Sequence, residues 1–207
     1  MRVLITGGSG CIGTAIKHTL TDHDVISPTS SELNLSKEIK TSYSNIDVLI
    51  HCAGINEIKK YNNINKTDFD NLFNINTYSF IELCKQLDFN KNANIIAIGS
   101  LYSTSTKELR GQYTMSKHAL LGAVKTLALE LSYKNIKVNM ISPGFVNTSL
   151  TRKNNTQERI NFLNDNIPLG LTTVDDMSNV VNFFALHNNA ITGQNIIVDG
   201  GYSLKGL

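Results

Sequence analysis

The sequence predicts an α/β fold built on a doubly wound parallel sheet with helices on both faces. Short runs that are apolar nearly throughout alternate with longer segments whose apolar residues recur at helical spacing. Strands that are apolar on both faces are typical of a parallel sheet buried between two layers of helices. The chain shows no internal repeat, low-complexity segment or linker, so we expect one domain over residues 1–207.

The elements are predicted one after another from their apolar period and from the turn residues between them. Strands are predicted at residues 3–6, 25–27, 46–51, 94–98, 136–141 and 195–198. Helices are predicted at residues 12–21, 68–87, 110–133, 157–164 and 175–187. Residues 27–45 leave room for only one short helix and a vestigial strand at 33–35. Right-handed crossovers between such strands produce a doubly wound sheet.

Composition argues against several classes of function. The net charge is +2 and no basic run occurs, so no nucleic-acid partner is expected. No apolar stretch reaches membrane-spanning length and the N-terminus lacks a signal-peptide pattern, so we expect no membrane partner and a cytoplasmic location. Cys11, Cys52 and Cys84 form no C-x-x-C motif, which predicts neither a disulfide framework nor a metal site.

Glycines follow the first predicted strand directly, in the run TGGSGCIG at residues 6–13. Glycine allows a tight turn and a close approach of the backbone to a pyrophosphate, and the N-terminus of the following helix attracts the anion. We therefore predict a phosphate-binding loop, with a merely structural strand-to-helix turn as the alternative. Its predicted contact residues are Gly7, Ser9, Gly10, Cys11, Ile12 and Gly13.

Tyr113 and Lys117 stand four residues apart in a segment predicted to be helical. Residues i and i+4 share one face of a helix, so a phenol and an ammonium are held side by side. A neighbouring cation favours the ionised form of a phenol, whose pKa is ordinarily about 10. The pair is therefore a candidate for proton transfer near neutral pH. The alternative is a surface tyrosine and a surface lysine on an amphipathic helix.

Further motifs occur in order along the chain. They are Cys52-Ala53-Gly54, Asn76 in the run FNIN, Ser100 thirteen residues before Tyr113, Pro143-Gly144 followed by Thr148, and the run VDGG at residues 198–201. Together with the glycine loop and the Tyr113–Lys117 pair, they resemble the motifs of the short-chain dehydrogenase/reductase superfamily over essentially the whole chain. The resemblance implies a Rossmann fold. The C-terminal half is similar to the simple branch of the family, and to 3-oxoacyl-carrier-protein reductases in particular.

Three features depart from the family pattern. Cys11 stands where the simple branch has glycine, which gives the loop the T-G-x-x-G-x-x-G spacing of the extended branch that handles nucleotide sugars. His51 stands where the family usually has asparagine, and we interpret it as a hydrogen-bonded histidine at a strand end. The second crossover helix and the third strand of the family are shortened within residues 27–45.

The resemblance implies hydride transfer between a nicotinamide cofactor and a carbonyl/alcohol substrate. Tyr113 would donate the proton to the carbonyl oxygen, while Lys117 would lower the pKa of Tyr113 and bind the nicotinamide ribose. Ser100 would hold the carbonyl oxygen, and Asn76 would order a water that returns protons through Lys117. The alternatives are a non-catalytic NAD(P)-binding sensor or scaffold protein and a sugar-nucleotide-modifying enzyme.

The cofactor-binding residues implied by the resemblance extend beyond the glycine loop. They are Thr29, Asn34, Cys52, Ala53, Gly54, Tyr113, Lys117, Pro143, Gly144, Val146 and Thr148. NADP is favoured over NAD, because the segment after the second strand has no carboxylate before Glu32 that could bind the ribose 2′-hydroxyl. Asn34 could hold adenine or be a turn residue.

Substrate specificity in this family lies mostly in the segment after Pro143-Gly144, here residues 145–170. Arg152 and Lys153 could meet an acidic carrier protein or a phosphate there, or they could be solvated loop charges. The sequence leaves open which carbonyl compound is used and in which direction. A homodimer or homotetramer is implied, with the helices at 68–87 and 110–133 pairing across a two-fold axis.

Overall fold

The computed structural model describes residues 1–205, and its centre is a six-stranded parallel sheet. The strands are β1 (Arg2–Thr6), β2 (Asp24–Ile26), β3 (Ile46–His51), β4 (Phe89–Ile98), β5 (Lys137–Pro143) and β6 (Asn195–Val198). They pair in the order β2-β1-β3-β4-β5-β6. The predicted fold class is therefore confirmed. Because the order reverses direction between β1 and β3, the carboxyl ends of these two strands border the crevice in which ligands of such sheets bind.

Helices connect the strands and cover both faces of the sheet. Within the described residues they are α1 (Cys11–His18), α2 (Lys66–Phe73), α3 (Ser79–Gln86), α4 (Gly111–Glu130), α5 (Ser149–Lys153), α6 (Gln157–Asn166), α7 (Val174–Asn182) and α8 (Tyr202–Lys205). The sequence did not predict α5 or α8. None of the helices in residues 1–205 is long and apolar enough to cross a membrane.

Neighbouring residues of each strand pack into two separate cores, one on each face of the sheet. Leu4 of β1 belongs to the core that contains Phe80 of α3, and α4 covers the same face. The next residue, Ile5, belongs to the opposite core, with Ile16 of α1 and Met177 of α7. All five side chains are completely buried. This division explains why the strands are apolar throughout rather than at every second residue.

Residues 27–45 contain no helix or strand, so the predicted short helix and the predicted strand at 33–35 are wrong. The segment is nevertheless anchored, because Leu33 and Ile39 are buried in the core beside α3. Gln86 holds its backbone, donating from Nε2 to Ile39 O at 2.6 Å and accepting at Oε1 from Thr41 N at 3.1 Å. Side-chain contacts thus replace a regular element here, and β2 forms the edge of the sheet.

The helix predicted at residues 68–87 is present, but a π-helical turn at Asn74–Tyr78 divides it into α2 and α3. The turn is bound from outside, because Thr77 Oγ1 donates to Ser116 O of α4 at 2.8 Å. Ser79 Oγ donates to Ile75 O, also at 2.8 Å. Such turns inside α-helices often lie at functional sites, and this one carries Asn76.

The VDGG motif after β6 braces the loop that follows β5. Asp199 accepts hydrogen bonds from Gly201 N at 2.9 Å and from Ser203 N at 2.8 Å. A Cβ on Gly144 would lie 2.6 Å from the Cβ of Asp199, so the two loops are in direct contact and only glycine fits there. The motif therefore positions the Pro143–Gly144 loop rather than contributing side chains to a site.

Candidate active site

The glycine run after β1 forms a tight loop that ends at the first turn of α1. Gly7 has a φ of +69°, and a Cβ there would lie 2.6 Å from Ala53 N, so a side chain is excluded. A Cβ on Gly13 would lie 2.4 Å from Gly7 O, which means that the helix packs directly on the loop. Gly10 is the N-cap of α1, where the free backbone N–H groups of the helix begin. The loop thus has the packing and the open helix N-terminus that a phosphate-binding turn needs.

Two adjoining cavities lie at the carboxyl edge of the sheet. The first cavity measures about 390 Å³, and the predicted residues that line it are Gly7, Gly10, Cys11, Ile12, Gly13, Cys52, Gly54, Ser100, Tyr113, Lys117, Pro143, Gly144, Val146 and Thr148. The second cavity measures about 440 Å³, and the predicted residues that line it are Gly7, Ser9, Gly10, Asn34, Cys52, Ala53 and Gly54. Asn76 and Thr29 line neither cavity. The structure therefore gathers the glycine loop, the Tyr113–Lys117 pair and the loop after β5 around one crevice.

Tyr113 lies in the first turn of α4 and faces the first cavity beside Ser100. Burial raises the pKa of Tyr113 above its ordinary value, while a hydrogen bond with the Ser100 side chain and the charge of Arg110 act in the opposite direction. The predicted lowering of this pKa by Lys117 is not found, because burial dominates and Lys117 Nζ lies 5.8 Å from the centroid of the phenol ring. The phenol therefore keeps its proton at neutral pH.

Lys117 lies one helical turn after Tyr113 and is only 3% exposed. Nζ donates a hydrogen bond to Ile98 O, at the end of β4, at 2.8 Å. Burial lowers the pKa of Lys117 from 10.5 to about 8, against a smaller opposing effect of Cys52. A buried amine with this pKa can give up and take back a proton near neutral pH, which an exposed lysine cannot do.

Asn76 is completely buried behind the first cavity, where it holds the loop after β3. Its Oδ1 accepts from Ile55 N at 2.8 Å, and its Nδ2 donates to Ile55 O at 2.9 Å. Nδ2 also donates to Ser116 Oγ of α4 at 3.0 Å. A Cβ on Gly54 would lie 3.4 Å from Asn76 Oδ1 and 3.5 Å from Lys117 Nζ. Asn76 therefore connects the π-helical turn with α4 and with the loop after β3. The backbone of this loop passes Lys117 at Gly54.

His51, the unusual residue at the end of β3, is completely buried. Its Nδ1 lies within hydrogen-bonding distance of Thr6 Oγ1, at 2.9 Å, and its ring packs against Phe80 with centroids 5.5 Å apart. Nε2 has no hydrogen-bond partner of normal geometry within residues 1–205, although the Ile75 backbone acts on the ring, so the predicted hydrogen-bonded histidine is confirmed for one ring nitrogen only. Burial, followed by the charge of Lys117, lowers the pKa of His51 to about 3, and the ring is therefore neutral.

Cys11, the second departure, is exposed in the first turn of α1 and lines the first cavity. Its Sγ lies 3.5 Å from Oγ of Ser149, the first residue of α5, and hydrogen bonds with Ser149 lower the pKa of the Cys11 thiol. The side chain thus reaches across the crevice toward α5. The positions of this loop at which a side chain would clash with the backbone are Gly7 and Gly13.

The residues predicted to contact adenosine take different positions. Thr29 donates from N and from Oγ1 to Glu32 Oε2, at 2.8 and 2.9 Å. These bonds lower the pKa of Glu32. They also hold its carboxylate against Thr29, which stands three residues beyond the end of β2. Asn34 lines the second cavity, and its Oδ1 accepts from Ser36 N at 3.0 Å in a turn. Ser30, another hydroxyl of the segment after β2, also lines the second cavity.

Sequence reasoning missed three residues around Tyr113. Tyr102 meets Tyr113 edge-on, with ring centroids 6.3 Å apart, and it lines the first cavity together with Lys107 and Arg110. Arg110 could have been found, because it stands three residues before Tyr113 and residues at this spacing share a helix face. Tyr102 lies in a single 3₁₀ turn at Leu101–Ser103 and Lys107 in the loop after it, and this stretch has no periodic pattern from which their direction could be predicted.

The cations that the sequence did single out lie elsewhere. Arg152 and Lys153 are exposed and line neither cavity, and Arg152 Nη2 donates to Asn147 Oδ1 at 2.8 Å. They are therefore solvated helix charges. In the part of the chain that the structure describes, no group of three or more His, Cys, Asp or Glu side chains is arranged to hold a metal ion.

Comparison with known proteins agrees with this geometry. A family model described as enoyl-(acyl carrier protein) reductase matches residues 12–203. The chain therefore belongs to the short-chain dehydrogenase/reductase superfamily, as its motifs predicted, and is an oxidoreductase of that family.

Similar individual proteins include reductases and dehydrogenases. The 3-oxoacyl-[acyl-carrier-protein] reductase FabG of Rickettsia conorii is 33% identical over an alignment of 229 positions, which covers 96% of this chain and 95% of the relative. A short chain dehydrogenase family protein from Francisella tularensis is 26% identical, with a TM-score of 0.80 and 98% of both chains covered. A 4-hydroxyisoleucine dehydrogenase, solved in complex with NADH, is 25% identical, with a TM-score of 0.79 and 99% of both chains covered.

Proposed function

We propose that the protein transfers a hydride between NAD(P) and a carbonyl/alcohol substrate, with Tyr113 as the general acid or base. The observation that carries this proposal is the meeting of Tyr113, Ser100 and Lys117 with the glycine loop around the first cavity. A protonated phenol, a hydroxyl and a buried ammonium are suited to stabilise charge that develops on a carbonyl oxygen. The similarity to a protein named as a 3-oxoacyl-carrier-protein reductase supports the same chemistry.

The residues around the crevice fit a nicotinamide cofactor. The helix N-terminus at Gly10 offers free N–H groups for a pyrophosphate, and Gly7, Gly10 and Gly54 border both cavities. A Cβ on Gly54 would lie 3.4 Å from Asn76 Oδ1 and 3.5 Å from Lys117 Nζ, and glycine leaves this space free. When bound, the cofactor supplies or accepts the hydride.

Tyr113 is the proton donor when a carbonyl is reduced. Because burial raises the pKa of its phenol, the group carries its proton at neutral pH. The phenol and the Ser100 hydroxyl can both donate to the substrate oxygen, and their bonds strengthen as negative charge develops on it. The phenolate that remains is stabilised by its hydrogen bond with Ser100 and by the charge of Arg110.

Lys117 returns the proton to Tyr113. Burial lowers the pKa of its ammonium to about 8, so the group can release a proton toward a phenolate near neutral pH. Asn76 fixes the backbone of Ile55 beside it. In this proposal Asn76 also orders the water through which Lys117 is reprotonated.

The cofactor choice depends on two opposing features after β2. Residues 27–31 contain no acid that could bind a ribose 2′-hydroxyl, which favours NADP. The Glu32 carboxylate, however, is held by Thr29 close to the same segment, and its charge opposes a 2′-phosphate. We propose NADP, with NAD as the alternative. Titration of the protein with NADPH and NADH, followed by nicotinamide fluorescence, measures the difference.

A tyrosine-to-phenylalanine substitution tests the proposed chemistry. Tyr113→Phe should lower kcat for a reducible carbonyl compound by at least about 100-fold, because the proton donor is lost. Its affinity for the cofactor should fall by no more than about tenfold, because at most one hydrogen bond in the crevice is lost. Tyr133→Phe is the matched control, since Tyr133 is 76% exposed beyond the end of α4.

Turnover is followed by the nicotinamide absorbance over a panel of ketones, aldehydes and 3-oxoacyl thioesters. Full activity of Tyr113→Phe would exclude the proposed mechanism. Cofactor binding by the wild type without turnover of any carbonyl compound would favour the sensor protein.

The oligomeric state and the cellular location stay predictions. A homodimer or homotetramer is expected to pair the helices of residues 68–87 and 110–133. Met115 and Leu129 of α4 are 46% and 78% exposed and offer apolar surface for such pairing. Light scattering on the purified protein measures the number of chains, and a fluorescent fusion in cells tests the expected cytoplasmic location.

A further inference from the structure

The first cavity has a cationic wall beside the proposed reaction centre. Lys107 and Arg110, in the loop before α4 and at its N-cap, line the cavity with Ser100 and Tyr113. Lys117 lines it as well, and no Asp or Glu is among the described residues around it. The wall therefore combines three cations with no compensating carboxylate.

The lowered pKa of Lys107 shows that the positive charge of this wall is not balanced by an acid. Burial, the charge of Arg159 and the charge of Arg110 all lower the pKa of Lys107. Arg159 is half-buried on α6, and its charge also acts on Tyr102, another residue of the cavity wall. Within residues 1–205, no carboxylate forms an ion pair with Lys107, Arg110 or Arg159. Like charges gathered without an acid destabilise one another, and an anion bound between them removes that cost.

Arg110 is oriented by a neutral partner rather than by an acid. Its Nη1 donates to Asn56 Oδ1 at 3.0 Å, and Asn56 also lines the first cavity. The nearest acid in sequence to Asn56 is Glu57, which accepts from Gln112 Nε2 at 3.0 Å. The bond to Asn56 fixes the guanidinium at the cavity wall and leaves its charge available, which suits a planar donor of paired hydrogen bonds to an oxyanion.

We propose that the substrate of this site is a carbonyl compound that carries an anionic group, a carboxylate or a phosphate, bound by Lys107 and Arg110. The inference rests on the proposed function and specifies its substrate class. We assign the anionic group to the substrate and not to the cofactor, because Lys107 and Arg110 line the first cavity beside Ser100 and Tyr113 of the proposed reaction centre and do not line the second cavity. The pyrophosphate is assigned to the N-terminus of α1 instead.

Pairs of anionic and neutral probes test the substrate class. Acetoacetate is compared with methyl acetoacetate, and dihydroxyacetone phosphate with dihydroxyacetone, so that the two pairs distinguish a carboxylate from a phosphate. For at least one pair, the wild type should have a kcat/KM about tenfold or more higher for the anion, because charged hydrogen bonds are at stake. Lys107→Met and Arg110→Met should each remove about tenfold of that preference. Lys107→Met should change the neutral probe by less than about twofold, whereas Arg110→Met also removes a charge that acts on Tyr113 and is therefore judged by the lost preference alone.

Lys153→Met is the matched control, because Lys153 is an exposed lysine that lines neither cavity. The cofactor affinity of all three variants should equal that of the wild type. The inference is overturned if the wild type prefers the neutral member of both pairs. It is also overturned if Lys107→Met and Arg110→Met lower the kcat/KM of both members of each pair equally.

A binding measurement separates this inference from the proposed reaction. Calorimetry with the oxidised cofactor present measures the binding of the same probes where reduction cannot occur. Stronger binding of an anionic probe that is lost in Lys107→Met and Arg110→Met supports the anion site, even if no probe is turned over. In that case only the proposed reaction fails. No detectable difference between the anionic and neutral probes overturns the anion site while leaving the reaction to its own test.

Discussion

Replacing Lys117 by methionine should make the folded protein more stable while abolishing the proposed activity. The pKa of Lys117 is 10.5 in an unfolded chain and about 8 in the folded one, because burial disfavours its charge. This difference costs the folded state about 3 kcal/mol at pH 7. Methionine removes that cost but leaves Ile98 O without its donor, which costs about 1 kcal/mol. We therefore expect a net gain of about 2 kcal/mol in the free energy of unfolding at pH 7.

The dependence on pH distinguishes this cause from a general packing effect. Because the pKa is lower in the folded protein, the unfolded chain binds the extra proton between about pH 8 and 10.5, so wild-type stability rises with pH over this range. At pH 9.5 the cost of the charge falls to about 1 kcal/mol, and the advantage of Lys117→Met should nearly disappear.

Urea unfolding of the wild type and Lys117→Met at the two pH values, followed by circular dichroism, measures the difference. Lys125→Met, on the exposed side of the same helix, is the control and should change little at either pH. The reasoning is refuted if Lys117→Met is less stable than the wild type at pH 7, or if its advantage is the same at both pH values.

Two further predictions concern single side chains near the crevice. Glu32→Gln should raise the affinity for NADPH relative to NADH by about two- to fivefold, because it removes the exposed carboxylate that Thr29 holds near the end of β2. Fluorescence titration measures this ratio of affinities, with Glu38→Gln as the control. His51, whose pKa burial lowers from 6.5 to about 3, binds fewer protons in the folded state, so stability should fall as the pH drops below about 6.5. Between pH 7 and 5 the wild type should lose about 2 kcal/mol more than His51→Asn, as measured by urea unfolding with His18→Asn as control; equal losses in wild type and His51→Asn would contradict the buried neutral ring.

The strands and the main site positions could be predicted because they depend on local pattern. Val48, Leu49 and Ile50 are apolar in succession, and a strand buried on both faces is the arrangement that such a run favours. The spacing of Tyr113 and Lys117 likewise fixes both residues to one face of α4, whatever surrounds them. In both cases residues close in sequence determine the result.

The rest depends on partners far away in sequence. Nothing within residues 27–45 indicates that Gln86 anchors their backbone and makes a helix there unnecessary. The π-turn at Asn76 is bound by Ser116, forty residues later. The fold also places Arg159 of α6 close enough to Lys107 of the cationic wall for its charge to lower the pKa of Lys107, although their sequence positions suggest no relation. Each of these features requires the fold first, so pattern alone could not predict it.

The electrostatics of Tyr113 and Lys117 connect the proposed mechanism with the inferred substrate. Burial raises the pKa of Tyr113 and lowers that of Lys117, so it shifts the balance from phenolate and ammonium toward phenol and amine. The charge of Arg110 opposes this shift by lowering the pKa of Tyr113. An anionic group bound to Arg110 would offset that charge, and the pKa of Tyr113 would rise further. An anionic substrate would therefore keep the proton on Tyr113 until the hydride is transferred, and the phenolate that follows would be stabilised mainly by its hydrogen bond with Ser100.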